Sequence, residues 1–239
     1  MIVRGPGRRD FEGVTPDDSL QLDASRREVT AVILAGGRSA RLGGLDKCAL
    51  ELQGQSLIER RVAALSPLVA EVLVVGARGR PDRGHPARGH PARGHPDSLS
   101  IRAVADEPAG AGPLGGLRAG LEASRTPWVF ATACDMPFLE PRLYLRLAGE
   151  RDGRDAVVPA VNGWYEPLFS FYHVRCLGAV SDAIGRGEAR MASFFAEVRA
   201  HYVSSTELET YDPGLPSFFN VNTAEDLERA RAMLLRKGS

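Results

Sequence analysis

The sequence predicts an α/β protein with a parallel-rich sheet and helices on both faces. Two observations carry this. From Val29 onward, short apolar runs alternate with longer amphipathic stretches, the pattern of repeated strand–helix units. In the first half, each apolar run also gives way to something polar or glycine-rich: Ala35-Gly36-Gly37, Gly76, Asp106 and Cys134-Asp135. In open α/β sheets, ligands sit beyond the carboxyl ends of the strands, so these ends are where a site is expected.

Taken in order, residues 1–27 are polar, carry Arg4, Arg8, Arg9, Asp10, Asp17 and Asp18, lack a secretion-signal core, and read as a disordered tail. Val29–Leu34 reads as a buried strand ending at a glycine turn. Ser56–Leu65 has Leu57, Ile58, Val62 and Leu65 at helical spacing, with Ser56 placed to cap. Val72–Val75 and Ile101–Ala105 read as strands and Gly115–Ala123 as a helix. Trp128–Ala133 is a fourth strand, and a helix begins at Pro141, where proline suits the first turn. The second half is less regular. Ala156–Val158 and Leu168–Tyr172 look like strands, and Leu177–Ile184 and Met191–Val198 look helical. Phe218–Asn222 reads as a short strand entering a helix over Ala224–Leu235, with Thr223 as cap and Asp226 returning the capping bond.

Within residues 80–98, Arg83-Gly84-His85-Pro86-Ala87 recurs as Arg88–Ala92 and again, ending in Asp97, as Arg93–Asp97, so glycine and proline forbid regular structure there. The segment reads as a flexible insertion. Three of the chain's 5 histidines lie in it without interleaved carboxylate or thiol, which leaves adventitious metal capture as the alternative.

At 239 residues, with 44% hydrophobic and 25% charged residues, the chain can bury a core without disulfides or structural metal. Lys plus Arg equals Asp plus Glu at 30 each, which argues against a general nucleic-acid binder. No apolar run is long enough to span a membrane. The cysteines, Cys48, Cys134 and Cys176, are widely spaced and odd in number, so reduced thiols of a cytoplasmic protein are expected.

The chemistry concentrates in a few places. Leu34-Ala35-Gly36-Gly37 follows a strand directly, so backbone N–H groups can face phosphate oxygens. Arg38, Arg41 and Lys47 add three cations that can neutralise a triphosphate. Neither a Walker spacing nor a dinucleotide fingerprint is present. Asp135, just past a strand and before Pro137, suits a magnesium ligand or a turn cap. Asp106 can bond a ribose or base, or cap a turn. Gly110–Gly116 opens a helix and can line a flat base or simply connect. Asn220 and Asn222 fall on one face of an extended segment, where amides can complete a magnesium shell, bond phosphate, or cap.

These residues, in this order, resemble the molybdenum cofactor guanylyltransferases. The resemblance runs from about Val29 to Leu235 and rests on four motifs: Leu34 to Lys47, Gly112-Pro113-Leu114-Gly115-Gly116, Cys134-Asp135-Met136-Pro137 and Asn220-Val221-Asn222-Thr223. It implies a three-layer α/β/α, Rossmann-like nucleotidyltransferase fold with a mostly parallel mixed sheet. It implies one domain over 28–236, with a nucleotide-binding half (28–150) and a pterin-binding half (151–236). The implied reaction transfers GMP from GTP to molybdenum-molybdopterin with Mg2+ and releases diphosphate. Implied partners beyond the substrates are molybdopterin-handling and molybdoenzyme-maturation proteins.

By resemblance, Arg41, Lys47 and Asp135 are the catalytic set, and Asp135 also binds magnesium. Leu34, Ala35, Gly36, Gly37, Lys47, Gly76, Asp106, Gly112, Gly116 and Asp135 would hold GTP. Arg190, Asn220 and Asn222 would face the pterin. Some members carry at Gly76 an asparagine whose side chain touches nucleotide, which glycine cannot reproduce. A CTP-dependent pterin transferase, another sugar- or alcohol-phosphate nucleotidyltransferase, and a non-catalytic nucleotide binder are the alternatives.

Overall fold

The computed structural model describes residues 16–35, 47–76, 100–105 and 112–237. In chain order the elements are α1 (Pro16–Glu28), β1 (Val29–Leu34), a 3-10 turn (Lys47–Ala49), β2 (Glu51–Leu52), β3 (Gln55–Ser56), α2 (Leu57–Leu65), β4 (Glu71–Val75), β5 (Ser100–Val104), α3 (Gly112–Ala123), β6 (Trp128–Ala133) and α4 (Pro141–Gly149). Then follow β7 (Ala156–Val161), β8 (Trp164–Tyr165), β9 (Phe169–His173), α5 (Leu177–Gly185), a 3-10 helix (Met191–Glu197), β10 (Ala200–Ser204), α6 (Ser205–Tyr211) and α7 (Ala224–Lys237).

The main sheet has the order β10-β7-β9-β6-β1-β4-β5, with β8 paired to β7. β5, β4, β1, β6, β7 and β10 run one way, and β8 and β9 run the other. This is the expected mostly parallel mixed sheet. Strand period two sorts its side chains into two cores. Ala31 and Ile33 of β1 join Ile58, Val62 and Leu65 of α2 and Leu143 and Leu147 of α4 on one face. Val32 and Leu34 join Leu114, Leu117 and Leu121 of α3 and Val180 of α5 on the other. Both strand faces are covered, which is why the strands read as continuous apolar runs.

Three local expectations differ. Within the stretch read as a tail, Pro16–Glu28 is a helix packed on α4. Its apolar pattern is thin, and its anchors are tertiary: Leu22 against the core, the Ser25 hydroxyl bonded to the Tyr144 hydroxyl at 2.6 Å, and Arg26 Nε donating to Pro67 O at 2.7 Å. Met191–Glu197 is 3-10 rather than α-helical. Phe218–Asn222 is no strand: Pro216–Phe218 makes a 3-10 turn, and Phe219–Asn222 is irregular, held by bonds to the loop after β6 rather than to a strand. The histidine repeat lies outside the described residues.

Candidate active site

The topology itself marks a site. From β1 the chain moves outward through β4 and β5, then returns to lay β6 on the other side of β1. The carboxyl ends of β1 and β6 therefore flank the point where the strand order reverses, the crevice in which open α/β sheets bind ligands. Ala35 N donates to Val75 O at 2.8 Å and Cys134 N to Leu34 O at 3.3 Å, fixing the two rims.

Three side chains meet there. Lys47 Nζ donates to Asp135 Oδ2 at 3.0 Å and to Asn222 Oδ1 at 2.6 Å. Lys47 and Asp135 remain partly open to solvent, with 21% and 16% of their side chains exposed. Each arrives by a different route. Lys47 opens the 3-10 turn that leads into the β2–β3 hairpin. Asp135 stands two residues past β6. Asn222 precedes α7, whose start is the expected capping box: Thr223 N and Oγ1 donate to Asp226 Oδ2, and Asp226 N donates to Thr223 Oγ1 at 3.1 Å. Val221 N donates to Asp135 O at 2.8 Å, tying that segment to the β6 loop. The lysine thus joins parts of the chain 88 and 175 residues away. An ammonium held by a carboxylate and an amide can exchange those partners for phosphate oxygens.

Asn220 and Asn222 do not act as a pair. The Asn220 amide donates to Phe218 O at 3.1 Å, within its own turn, while the Asn222 amide oxygen accepts from Lys47. Gly76 lies at the end of β4 with φ +81°, a conformation suited to glycine. Gly116 serves helix packing: a Cβ there would stand 2.8 Å from Leu34 Cδ2, so its absence lets α3 lie close on β1. Gly112 starts α3 beside Ala189, which puts the exposed Arg190 near the nucleotide half, where its side chain has no partner among the described residues. Gly36, Gly37, Arg38, Arg41, Asp106, Gly110 and Ala111 lie outside the described residues.

The cysteines overturn their expectation. Cys48 and Cys134 are disulfide-bonded across 86 residues, joining the residue after Lys47 to the residue before Asp135. Spacing in sequence conceals this, because the 3-10 turn and the end of β6 meet only in the folded sheet. Cys176 is a free buried thiol, pushed up to about 12 by burial.

Composition and motifs also pass over Arg61. It is fully buried on the apolar face of α2, with Nε donating to Thr132 Oγ1 at 2.9 Å and Nη1 to Phe138 O at 2.7 Å. These bonds bracket the bend that carries Asp135. Burial lowers the guanidinium to about 9, while the Asp135 charge acts the other way. Its place among Leu57, Ile58, Val62 and Leu65 was the available signal: a cation inside an apolar stripe needs buried acceptors.

Fold and site define a nucleotidyltransferase of the nucleotide-diphospho-sugar transferase type. Residues 31–202 match the family described as MobA-like NTP transferase domain. A probable molybdenum cofactor guanylyltransferase of Pelotomaculum thermopropionicum is 34% identical over 206 residues, covering 86% of this chain and 93% of that one. Another of that name, from Chloroflexus aggregans, is 38% identical over 216 residues, covering 86% and 95%. The crystal structure of molybdopterin-guanine dinucleotide biosynthesis protein A from Archaeoglobus fulgidus superposes with a TM-score of 0.71 at 26% identity, covering 87% of this chain and 99% of that one. The chain belongs to the MobA-like NTP transferase family.

Proposed function

We propose that this protein transfers GMP from GTP to the phosphate of molybdenum-loaded molybdopterin, releasing diphosphate. The observation that carries the reading is the Lys47–Asp135–Asn222 group at the switch point of a chain in this family. A pterin-phosphate oxygen attacks the α-phosphorus of GTP. The bond from that phosphorus to the bridging oxygen breaks, and the electron pair leaves with diphosphate. No side-chain nucleophile is needed, so the work is positioning and charge neutralisation.

In the ligand-free arrangement Lys47 holds Asp135 neutralised. When the triphosphate enters, the ammonium moves to phosphate oxygens and frees the carboxylate. Asp135, with the Asn222 amide oxygen beside it, fits a magnesium ion, which takes one or two carboxylates plus phosphates and water. Among the described residues no three His, Cys, Asp or Glu side chains cluster, which suits a metal shared with substrate better than an all-protein cage. Bound there, magnesium would neutralise charge building on the departing diphosphate. Arg41 would add a second cation from the glycine loop, and the cytoplasm is the compartment we assign. No described helix is long and apolar enough to cross a membrane.

A thermal-shift panel of GTP, CTP, ATP and UTP with magnesium tests the base. GTP is expected to raise the melting temperature most. Stabilisation by CTP alone would overturn the guanylyl assignment.

A further inference from the structure

The second half presents two side chains at the same edge of the sheet that the transfer chemistry leaves unused. β7 and β8 form a hairpin in which Val161 pairs with Trp164. Its two-residue loop, Asn162-Gly163, has φ of +51° and +82°, the left-handed pair of a tight hairpin turn. β7 runs parallel to β10 and antiparallel to β9, which is antiparallel to β6. The hairpin therefore rises from the same edge as Asp135. The register sharpens this: Thr132 of β6 pairs with Phe169 of β9. Asp135 lies three residues past Thr132, and Glu166 lies three residues before Phe169, so both leave the same rung at the same edge.

Glu166 is held firmly by its backbone. Its N–H donates to Pro159 O at 2.9 Å, and its carbonyl accepts from Phe169 N at 3.1 Å and Ser170 Oγ at 2.7 Å. Its half-buried carboxylate has no hydrogen-bond or ion-pair partner among the described residues. Burial raises its pKa, the mark of a carboxylate short of donors. Trp164, two residues earlier in an extended segment, falls on the same side and is 78% exposed. Tyr165 falls on the other side, stacked on Tyr202 with centroids 4.6 Å apart and edge-on to Phe195 at 5.7 Å. The hairpin is thus anchored through Tyr165 while Trp164 stays open.

An unpartnered carboxylate on a fixed backbone, on the same side as a free aromatic face, fits a flat heteroaromatic ring with two parallel N–H donors on one edge. We propose that Glu166 and Trp164 form the pterin-ring subsite, the carboxylate accepting from the 2-amino and N3–H groups while the indole stacks on the ring. This deepens the guanylyl-transfer reading and rests on it. Guanine carries the same donor edge, so the assignment must be separated from nucleotide binding.

Isothermal titration of the full chain with free pterin and with lumazine, which has an oxygen in place of the 2-amino group, makes that separation. The wild type is expected to prefer pterin at least tenfold, because lumazine sets an acceptor against the carboxylate. Glu166→Gln removes the charge-assisted bonds, so pterin binding weakens about tenfold or more and the preference collapses. Trp164→Ala weakens both ligands alike, about fivefold or more, and Trp164→Phe restores most of the loss. Thermal stabilisation by GTP with magnesium stays unchanged in all three variants. Equal binding of pterin and lumazine to the wild type, no binding of pterin to it, or pterin affinity untouched by Glu166→Gln overturns the proposal. Loss of GTP stabilisation in Glu166→Gln would assign the carboxylate to guanine and overturn it too. A wild type that GTP does not stabilise at all would instead undo the guanylyl-transfer reading.

Discussion

The two edges of the main sheet both carry buried or half-buried charge, and they use it in opposite ways. At the amino edge three carboxylates are saturated. Glu71 accepts from Arg102 Nε at 3.1 Å, Arg102 Nη2 at 3.0 Å, the Arg125 N–H at 3.1 Å and the Thr30 hydroxyl at 3.2 Å. Asp155 accepts from Arg175 Nε and Arg199 Nε, both at 2.9 Å. Glu150 is bridged to Arg146 and Arg154. At the carboxyl edge Asp135 shares a single exchangeable lysine, and Glu166 and Arg190 have no side-chain partner among the described residues. Satisfied charge locks a fold, whereas unsatisfied charge is stored for a ligand.

Substitution at each edge should therefore separate activity from stability. The largest effect is expected at the carboxyl edge: Asp135→Ala or Lys47→Ala lowers diphosphate release roughly 10²–10³-fold. The melting temperature should move little, and activity surviving Asp135→Ala would break the contrast. The amino edge should show the reverse. Glu71→Ala strands a half-buried arginine and costs on the order of 3 kcal/mol in urea unfolding, with kcat unchanged.

The Cys48–Cys134 bond stands between these behaviours, since it stabilises the fold from beside the site. In the chain-entropy picture, closing a loop of this length is worth about 4.5 kcal/mol. Dithiothreitol should lower the melting temperature of the wild type but not of Cys48→Ala. An equal drop in both would show that the bond contributes nothing.

The smallest effect concerns acid. Hydrogen bonding to Arg154, then to Arg146, holds Glu150 at about 2, below the usual carboxylate value. A depressed carboxylate adds stability above its unfolded pKa, and that stability is lost as pH falls through the folded value. The loss should fall between about pH 4.5 and 2. Solvent screening keeps it to about 1 kcal/mol or less, measurable as a flatter acid limb in Glu150→Gln.

Legibility followed the range of the interactions. Val29–Leu34 and Trp128–Ala133 match the expected strands residue for residue, because continuous apolar runs between turn residues leave little choice. The Ser56 and Thr223 caps were equally plain, since they depend on residues within one turn. α1 was hidden because its order comes from Tyr144 and Pro67, far along the chain. The Asn162-Gly163 hairpin was missed in the less regular second half, and nothing local showed that it would lift Trp164 and Glu166 at the edge that bears Asp135.

The sequence by itself determined the layer pattern, the strands and caps, and the chemical character of Lys47, Asp135 and Asn222. Each depends on local stereochemistry or on residue type. Only the tertiary structure decided that Lys47 reaches Asp135 and Asn222, that Asn220 turns away, that Cys48 and Cys134 join, and that Arg61 sits beneath the Asp135 bend. The contacts of Lys47, of the two cysteines and of Arg61 are meetings of distant segments set by strand order, whereas the Asn220 amide is taken by its own turn. A one-dimensional pattern carries the faces of its elements but not which faces come together.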